Sequence, residues 1–231
     1  MSDLVSYTAV GATDLRYARE PVGVYGSMGH RSRRVRSTPE MCTALDRALT
    51  AIGEVCPAGR PTHLVTAGCQ ADRRPDGSPR APDDRHRQGV AVDIDSLWWD
   101  RSAIPAVVTL HSRGDMRRYL GVEACLRMEF GTVLGWEYNR AHRDHWHCDL
   151  GSDVGFDVRS RSRVLFVQAA LVELWGERLV LDGVFGPLTA AAATHILEQV
   201  DDSGLGLAHL PAWRRFLWAA AGAGWGVCEA G

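Results

Sequence analysis

The chain has 231 residues, a formal net charge of −2 and a hydrophobic fraction of 45%, enough for one or two globular domains with a buried core. That charge argues against a nucleic-acid partner, since the arginines are scattered rather than gathered into a basic face. The apolar run at residues 216–227 is glycine-rich and too short to span a bilayer, which takes roughly 20 residues.

Residues 1–11 contain no basic segment followed by an apolar core, so no secretory signal is read there. The first clear element is a helix after Thr38, with Ser37 or Thr38 as its cap and Pro39 in its first turn. Cys42, Leu45, Leu49 and Ile52 share one face, and Gly53 is expected to end it. Residues 73–84 are rich in turn formers and predict a loop that borders a cleft. Residues 89–95 predict a strand, because Val90, Val92 and Ile94 alternate with Ala91, Asp93 and Asp95, placing both carboxylates on one face. His145 and His147 share a face by the same period of two. Trp98 and Trp99 are read as core anchors, and His30, His63, His111, His195 and His209 as ordinary core or surface residues. The six cysteines, at positions 42, 56, 69, 125, 148 and 228, form no Cys-x-x-Cys pair, which argues against a thiolate zinc site. Strand parity turns Cys148 away from the face of His147.

If the two strands are neighbours, Asp93 approaches His147, and the loop bearing His86 closes a third side. Two imidazoles and one carboxylate leave a fourth position open, which is a catalytic zinc arrangement; a structural site fills all four positions from protein.

The spacing His86-x-x-Gly89-x-Ala91-x-Asp93, followed by His145-x-His147, resembles the zinc D-Ala-D-Ala metallopeptidases and their hedgehog-like relatives. The stretches Ala124 to Gly135 and Asn139 to Asp149, with Ser37 to Leu45 upstream, resemble the extensin-like C-terminal domain family over about residues 20–150. The resemblance implies a zinc-peptidase fold with His86, Asp93 and His147 as metal ligands and His145 stabilising the tetrahedral intermediate. Many relatives carry Glu where this chain has His142; a His there resembles the penicillin-insensitive murein endopeptidases. A neutral imidazole can accept a proton from water, so His142 is read as general base, with Asp95, Asp144 and Asp149 as carboxylate alternatives. Relatives usually have Ser or Thr two positions before the first ligand, where this chain has Asp84, and their Cys-Arg pair is here Cys69-Gln70. Arg73 and Arg74 are the candidates for gripping a substrate carboxylate.

After residue 160, Val167 to Leu171 opens a helical pattern, residues 181–189 break it, and residues 190–200 resume it. Gly183 and Gly186 suit positive φ and Pro187 suits a first helical turn. The run Asp182-Gly183-x-Phe185-Gly186-Pro187-x-Thr189 resembles the peptidoglycan-binding domain of wall hydrolases, although the usual aromatic end of its second helix is absent.

These readings predict an α+β chain. Residues 1–150 form a zinc peptidase domain whose small antiparallel sheet carries the ligands, residues 151–162 a linker, and residues 163–231 a three-helix peptidoglycan-binding domain. The expected activity is hydrolysis of amides in cell-wall stem peptides or cross-links, foremost the D-Ala to meso-diaminopimelate bond. A D-Ala-D-Ala carboxypeptidase, an L-Ala-D-Glu endopeptidase and a non-catalytic wall-binding protein are the alternatives. Zn2+ is the expected cofactor and peptidoglycan the partner, with no membrane insertion. A cytoplasmically made wall hydrolase implies delivery to the wall or periplasm, by holin release as a phage endolysin or by a secretion system as an antibacterial effector with an immunity protein.

Overall fold

The computed structural model describes residues 3–17, 31–74, 76–107, 113–200 and 204–226. His30, His111, Cys228 and the Pro75 of the 73–84 loop lie outside the described residues. The elements are β1 (Val5–Tyr7), β2 (Ala9–Val10), β3 (Thr13–Arg16), β4 (Val35–Ser37), α1 (Pro39–Val55), β5 (His63–Gly68), the short helix α2 (Arg85–Gln88), β6 (Ala91–Trp99) and β7 (Ser102–Pro105). There follow α3 (Arg113–Glu129), β8 (Thr132–Leu134), a 3-10 turn (Arg140–His142), β9 (Trp146–Asp149), α4 (Arg161–Trp175), α5 (Pro187–Val200) and α6 (Leu210–Trp225). The chain is therefore α+β, as expected.

The main sheet runs β2-β3-β5-β6-β9-β8, and β7 pairs with the second half of β6. It is larger than the small antiparallel sheet expected, and it is mixed: β3 and β5 are parallel. The physical reason is the connection, since α1 lies between them and a helical crossover returns the chain in the same direction. β1 and β4 form a separate antiparallel pair.

α1 begins as predicted, with the Thr38 hydroxyl accepting from the Met41 amide at 3.3 Å and Pro39 in the first turn. It does not stop at Gly53 but continues to Val55. Gly53 is there for packing: a Cβ on it would sit 3.0 Å from the Arg60 backbone. In the later helices Pro187 opens α5 and Gly183 has φ +75°, whereas Gly186 is not among the positive-φ glycines.

α4 is buried on every side from Ser162 to Leu171, which places it inside the molecule rather than on its surface. Arg117 of α3 donates to the Glu173 and Leu174 carbonyls at the end of α4 and to the Ala223 carbonyl near the end of α6. Its cation thereby satisfies the last carbonyls of α4 and adds a second donor to the Ala223 carbonyl, which also accepts from the Gly226 amide. Before α4, Phe156 packs on Phe185 and Trp213, and Trp213 donates to the Val154 carbonyl at 2.8 Å. Among the described residues no helix is long and apolar enough to cross a membrane.

Arg127 joins α3 to β8 and α4. It donates to Glu123 at 2.7 Å, to the Val133 carbonyl at 3.0 Å and to the Ser162 hydroxyl at 3.0 Å. The Glu137 side chain lies fully buried 3.6 Å from Arg127 and within hydrogen-bond reach of the Glu123 carboxyl, so one proton can be shared between the two acids. Burial, then the neighbouring Glu123, push its carboxyl well above the usual range. A carboxyl raised in the fold makes the folded state hold an extra proton. Its contribution to stability is therefore full below the unfolded pKa of about 4.3 and declines as pH rises toward the folded value. Glu137→Gln is expected to flatten the fall in urea-unfolding stability between pH 5 and pH 9 and to leave the variant at least as stable as wild type at the alkaline end; an unchanged slope refutes this assignment.

Candidate metal centre

The register of β6 and β9 builds the site. Asp93 is paired directly with His147, while Val92 and Ile94 face Cys148 and Trp146 on the opposite, core side. His86 comes from α2, a single turn whose cap Asp84 accepts from the His86 and Arg87 amides. Gly89 ends that turn at φ +72°, and a Cβ there would strike Leu4 at 2.7 Å, so glycine meets both the left-handed backbone and the close approach.

Three atoms converge. His86 Nε2 lies 3.2 Å from His147 Nδ1 and 3.2 Å from Asp93 Oδ1, and His147 Nδ1 lies 2.9 Å from Asp93 Oδ1. Tetrahedral bonds of about 2.0–2.1 Å to a zinc ion separate neighbouring ligand atoms by roughly 3.3 Å, so the three are already spaced for one ion.

The outer partners prepare both rings. His86 Nδ1 meets the Cys69 carbonyl at 2.8 Å, which makes Nδ1 the protonated nitrogen and leaves Nε2 as an acceptor. His147 Nε2 lies 3.3 Å from Asp149 Oδ2, which leaves Nδ1 free toward the centre. Two lone pairs and a carboxylate oxygen aimed at one point fit a metal cation. Burial opposes ionisation of Asp93, but hydrogen bonds from His147 and His86 outweigh it and hold its carboxyl far below the usual range. Burial also opposes a charge on His147, yet Asp149 and Asp93 push it up to about 9.

His145 and His142 flank this triad. His145 Nδ1 is 2.8 Å from Asp144, and its Nε2 is 3.7 Å from Asp93. Burial lowers its affinity for a proton, but Asp144, Asp93 and Asp95 outweigh this and raise its pKa above the usual imidazole value. His142 Nδ1 is 2.9 Å from the Asn139 side-chain oxygen, which makes Nδ1 the donor and Nε2 the acceptor. Its ring centre lies 5.2 Å from that of His145 and 5.9 Å from that of His147. Burial, then those two neighbours, pull its pKa down to about 4, so it is neutral at physiological pH. Of the carboxylates read as alternative bases, Asp149 is engaged with His147 and Asp144 with His145. Burial pushes Asp95 up to about 7.

The triad lies in an open cleft of about 580 Å³ lined by Arg74, Arg80, Asp84, His142 and His145 among others. Of the two arginines singled out from sequence, Arg74 lines the cleft, whereas Arg73 is not among its lining residues and turns its guanidinium onto the Gly77 carbonyl at 2.8 Å. Arg80 and Arg85, which the sequence reading passed over, also line it. The turn-rich 73–84 loop expected beside a cleft does line it, through Arg74, Arg80, Ala81, Asp83 and Asp84.

Elsewhere, His63, His195 and His209 each have a local partner, respectively Thr62, Gln199 and the Gly206 carbonyl, and belong to no metal group. Cys42, Cys56, Cys69, Cys125 and Cys148 are free thiols, with Cys148 fully buried as its parity predicted. Purified protein is expected to carry one metal ion per chain. His86→Ala and His147→Ala should abolish this, while Asp149→Ala should weaken binding by about 10-fold through loss of the ring's outer partner. Elemental analysis after gel filtration checks it, and a stoichiometric metal ion in His147→Ala would remove the site.

Residues 62–158 match the family model described as extensin-like protein C-terminus. No curated protein and no solved structure matches the chain. The matched segment begins just before β5 and ends before α4, so it contains His86, Asp93, His142, His145 and His147 and leaves the last three helices outside.

Proposed function

We propose that the chain is a zinc-dependent peptidase of bacterial cell-wall peptides. The observation that carries this reading is the convergence of His86 Nε2, Asp93 Oδ1 and His147 Nδ1 in an open cleft, with two further imidazoles beside them. The N2O donor set suits zinc better than the harder divalent cations, which prefer all-oxygen ligands. A bound zinc ion would supply Lewis acidity to the attacking water and the scissile carbonyl.

The chain's own residues carry the remaining roles. His142, held neutral with Nε2 as acceptor, takes the proton of the attacking water and passes it to the departing amine nitrogen as the C–N bond breaks. His145, oriented by Asp144, presents Nε2 beside the centre as a donor to the oxyanion. With Arg80 engaged by Asp84, Arg74 and Arg85 are the cations on that side of the cleft that would meet a carboxylate-bearing peptide. Peptidoglycan stems carry such carboxylates.

Support for a wall substrate comes from two further features. The extensin-like match covers the site, and the His-x-x-His-x-His spacing is similar to that of the murein endopeptidases, which favours the D-Ala to meso-diaminopimelate cross-link over the carboxypeptidase and L-Ala-D-Glu alternatives. The Asp182 to Thr189 loop is clamped by Gln168, whose amide nitrogen donates to Asp182 at 2.8 Å and to the Val184 carbonyl at 3.1 Å, consistent with a wall-binding role for α4–α6. Delivery to the wall would follow the endolysin or injected-effector route.

Mass spectrometry of meso-diaminopimelate sacculi treated with zinc-loaded wild type or His147→Ala tests the reading. Loss of cross-linked dimers with a matching gain of monomers, absent in the variant, is expected. No zinc-dependent mass change on several wall types overturns the enzyme and promotes a non-catalytic wall-binding protein.

A further inference from the structure

Of the three candidate ligands, Asp93 and His147 are fixed by sheet register, but His86 rides on a helix of four residues. One turn of helix has little stability of its own. What holds it is a closed ring of contacts through the preceding loop. Asp84 Oδ1 accepts from the His86 amide at 3.0 Å and the Arg87 amide at 3.3 Å. Arg80 Nη1 lies 3.1 Å and 3.0 Å from the two Asp84 oxygens, and the pair is shielded, with side chains only 15% and 17% exposed. Arg80 is in turn anchored through its amide to the Asp72 carbonyl at 2.9 Å, and Arg87 closes the ring by donating to the Arg80 carbonyl at 2.9 Å.

We propose that Asp84 and Arg80 are positioning residues for the metal centre, setting the height and rotation of His86 so that its Nε2 meets Asp93 and His147; this rests on the metal-site reading above. Neither contacts the three converging atoms. Asp84 acts through the His86 backbone, and Arg80 acts through Asp84 by fixing which way its carboxylate faces. Asp84 thus has a role that its place in a turn-rich loop would not suggest, and the loop becomes part of the site's frame. The Cys69 carbonyl sets the ring's tautomer independently, so loss of the pair shifts the ring without changing which nitrogen faces the centre.

The test is competition titration of Zn2+, with the visible absorption spectrum of the Co2+ form, on full-length wild type, Asp84→Ala, Asp84→Asn and Arg80→Ala. Asp84→Ala is expected to weaken zinc affinity by about 10-fold and to alter the cobalt bands. Asp84→Asn keeps an oxygen acceptor for the two amides and should restore affinity to within about 3-fold, with Arg80→Ala falling between. If Asp84→Ala fails to fold by circular dichroism, the other two variants decide. Wild-type affinity and an unchanged cobalt spectrum in the folded variants overturn the proposal even if their thermal stability falls, since that is the signature of a loop staple alone. A wild-type protein that binds neither metal stoichiometrically overturns the metal-site reading itself.

Discussion

The direct pairing of Asp93 with His147 across β6 and β9 is the constraint on which the rest of the site depends. Because side chains alternate along a strand, this one register places carboxylate and imidazole on the cleft face and Val92, Ile94, Trp146 and Cys148 in the core. A slip by one residue would expose the tryptophan and bury the ligands, so the free energy of core packing also protects the site's geometry. Tyr119 of α3, stacked on Trp146 with ring centres 4.5 Å apart, reinforces the choice from the far side of the sheet.

Register alone would give proximity without chemistry. The opposite nitrogens are engaged elsewhere, one by a backbone carbonyl and one by a carboxylate, so the nitrogens facing the centre are the ones that could bind a metal, His147 Nδ1 by giving up the proton it shares with Asp93. The two outer partners are not equivalent. The Cys69 carbonyl is neutral and acts on tautomer and orientation, whereas Asp149 adds negative charge that reaches the centre through the ring. With Asp93 ionised and His147 pushed toward its protonated form by Asp149 and Asp93, a cation at the centre would take the place of the His147 Nδ1 proton, and His145 sits at its edge under the influence of the same carboxylates.

Local signals in the sequence were enough for the two strands that carry Asp93 and His147, whereas the one-turn helix that carries His86 was read as loop. The period of two around Asp93 and around His147, the Thr38 cap and Pro39 are short-range features that the folded chain retains. What escaped sequence reading is set by contacts distant along the chain. Gly53 looked like a helix end because glycine usually is one, and only the approach of Arg60 shows otherwise. The parallel β3–β5 pair depends on the path of α1. Arg73 and Arg74 are neighbours of identical chemistry, and the bridge between Arg73 and Pro79 separates them by folding the loop back on itself. Arg80 gave no signal beyond its place in the turn-rich 73–84 loop, since its importance comes from its partner, Asp84.

The last three helices are bound to the site by packing rather than by any shared functional residue. Gly224 of α6 comes so close to Gly121 of α3 that a Cβ on it would lie 2.7 Å from the Gly121 Cα and 2.6 Å from the Arg117 carbonyl oxygen. Both glycines are therefore spacers, and any side chain there must push α3 and α6 apart. α3 carries Arg117, which ties it to the ends of α4 and α6, and Tyr119, which touches the strand residue between His145 and His147. A displacement of α6 thus meets the back of the metal strand after a single intervening helix. That continuity of rigid contacts gives the helices a mechanical reason to be retained beside this sheet, independent of anything they bind, and it sets a standard for reading truncations: loss of α4–α6 removes the buried side chains of α4 and α6 that pack against α3, so a fall in metal affinity in such a truncation would report on packing before it reported on a ligand.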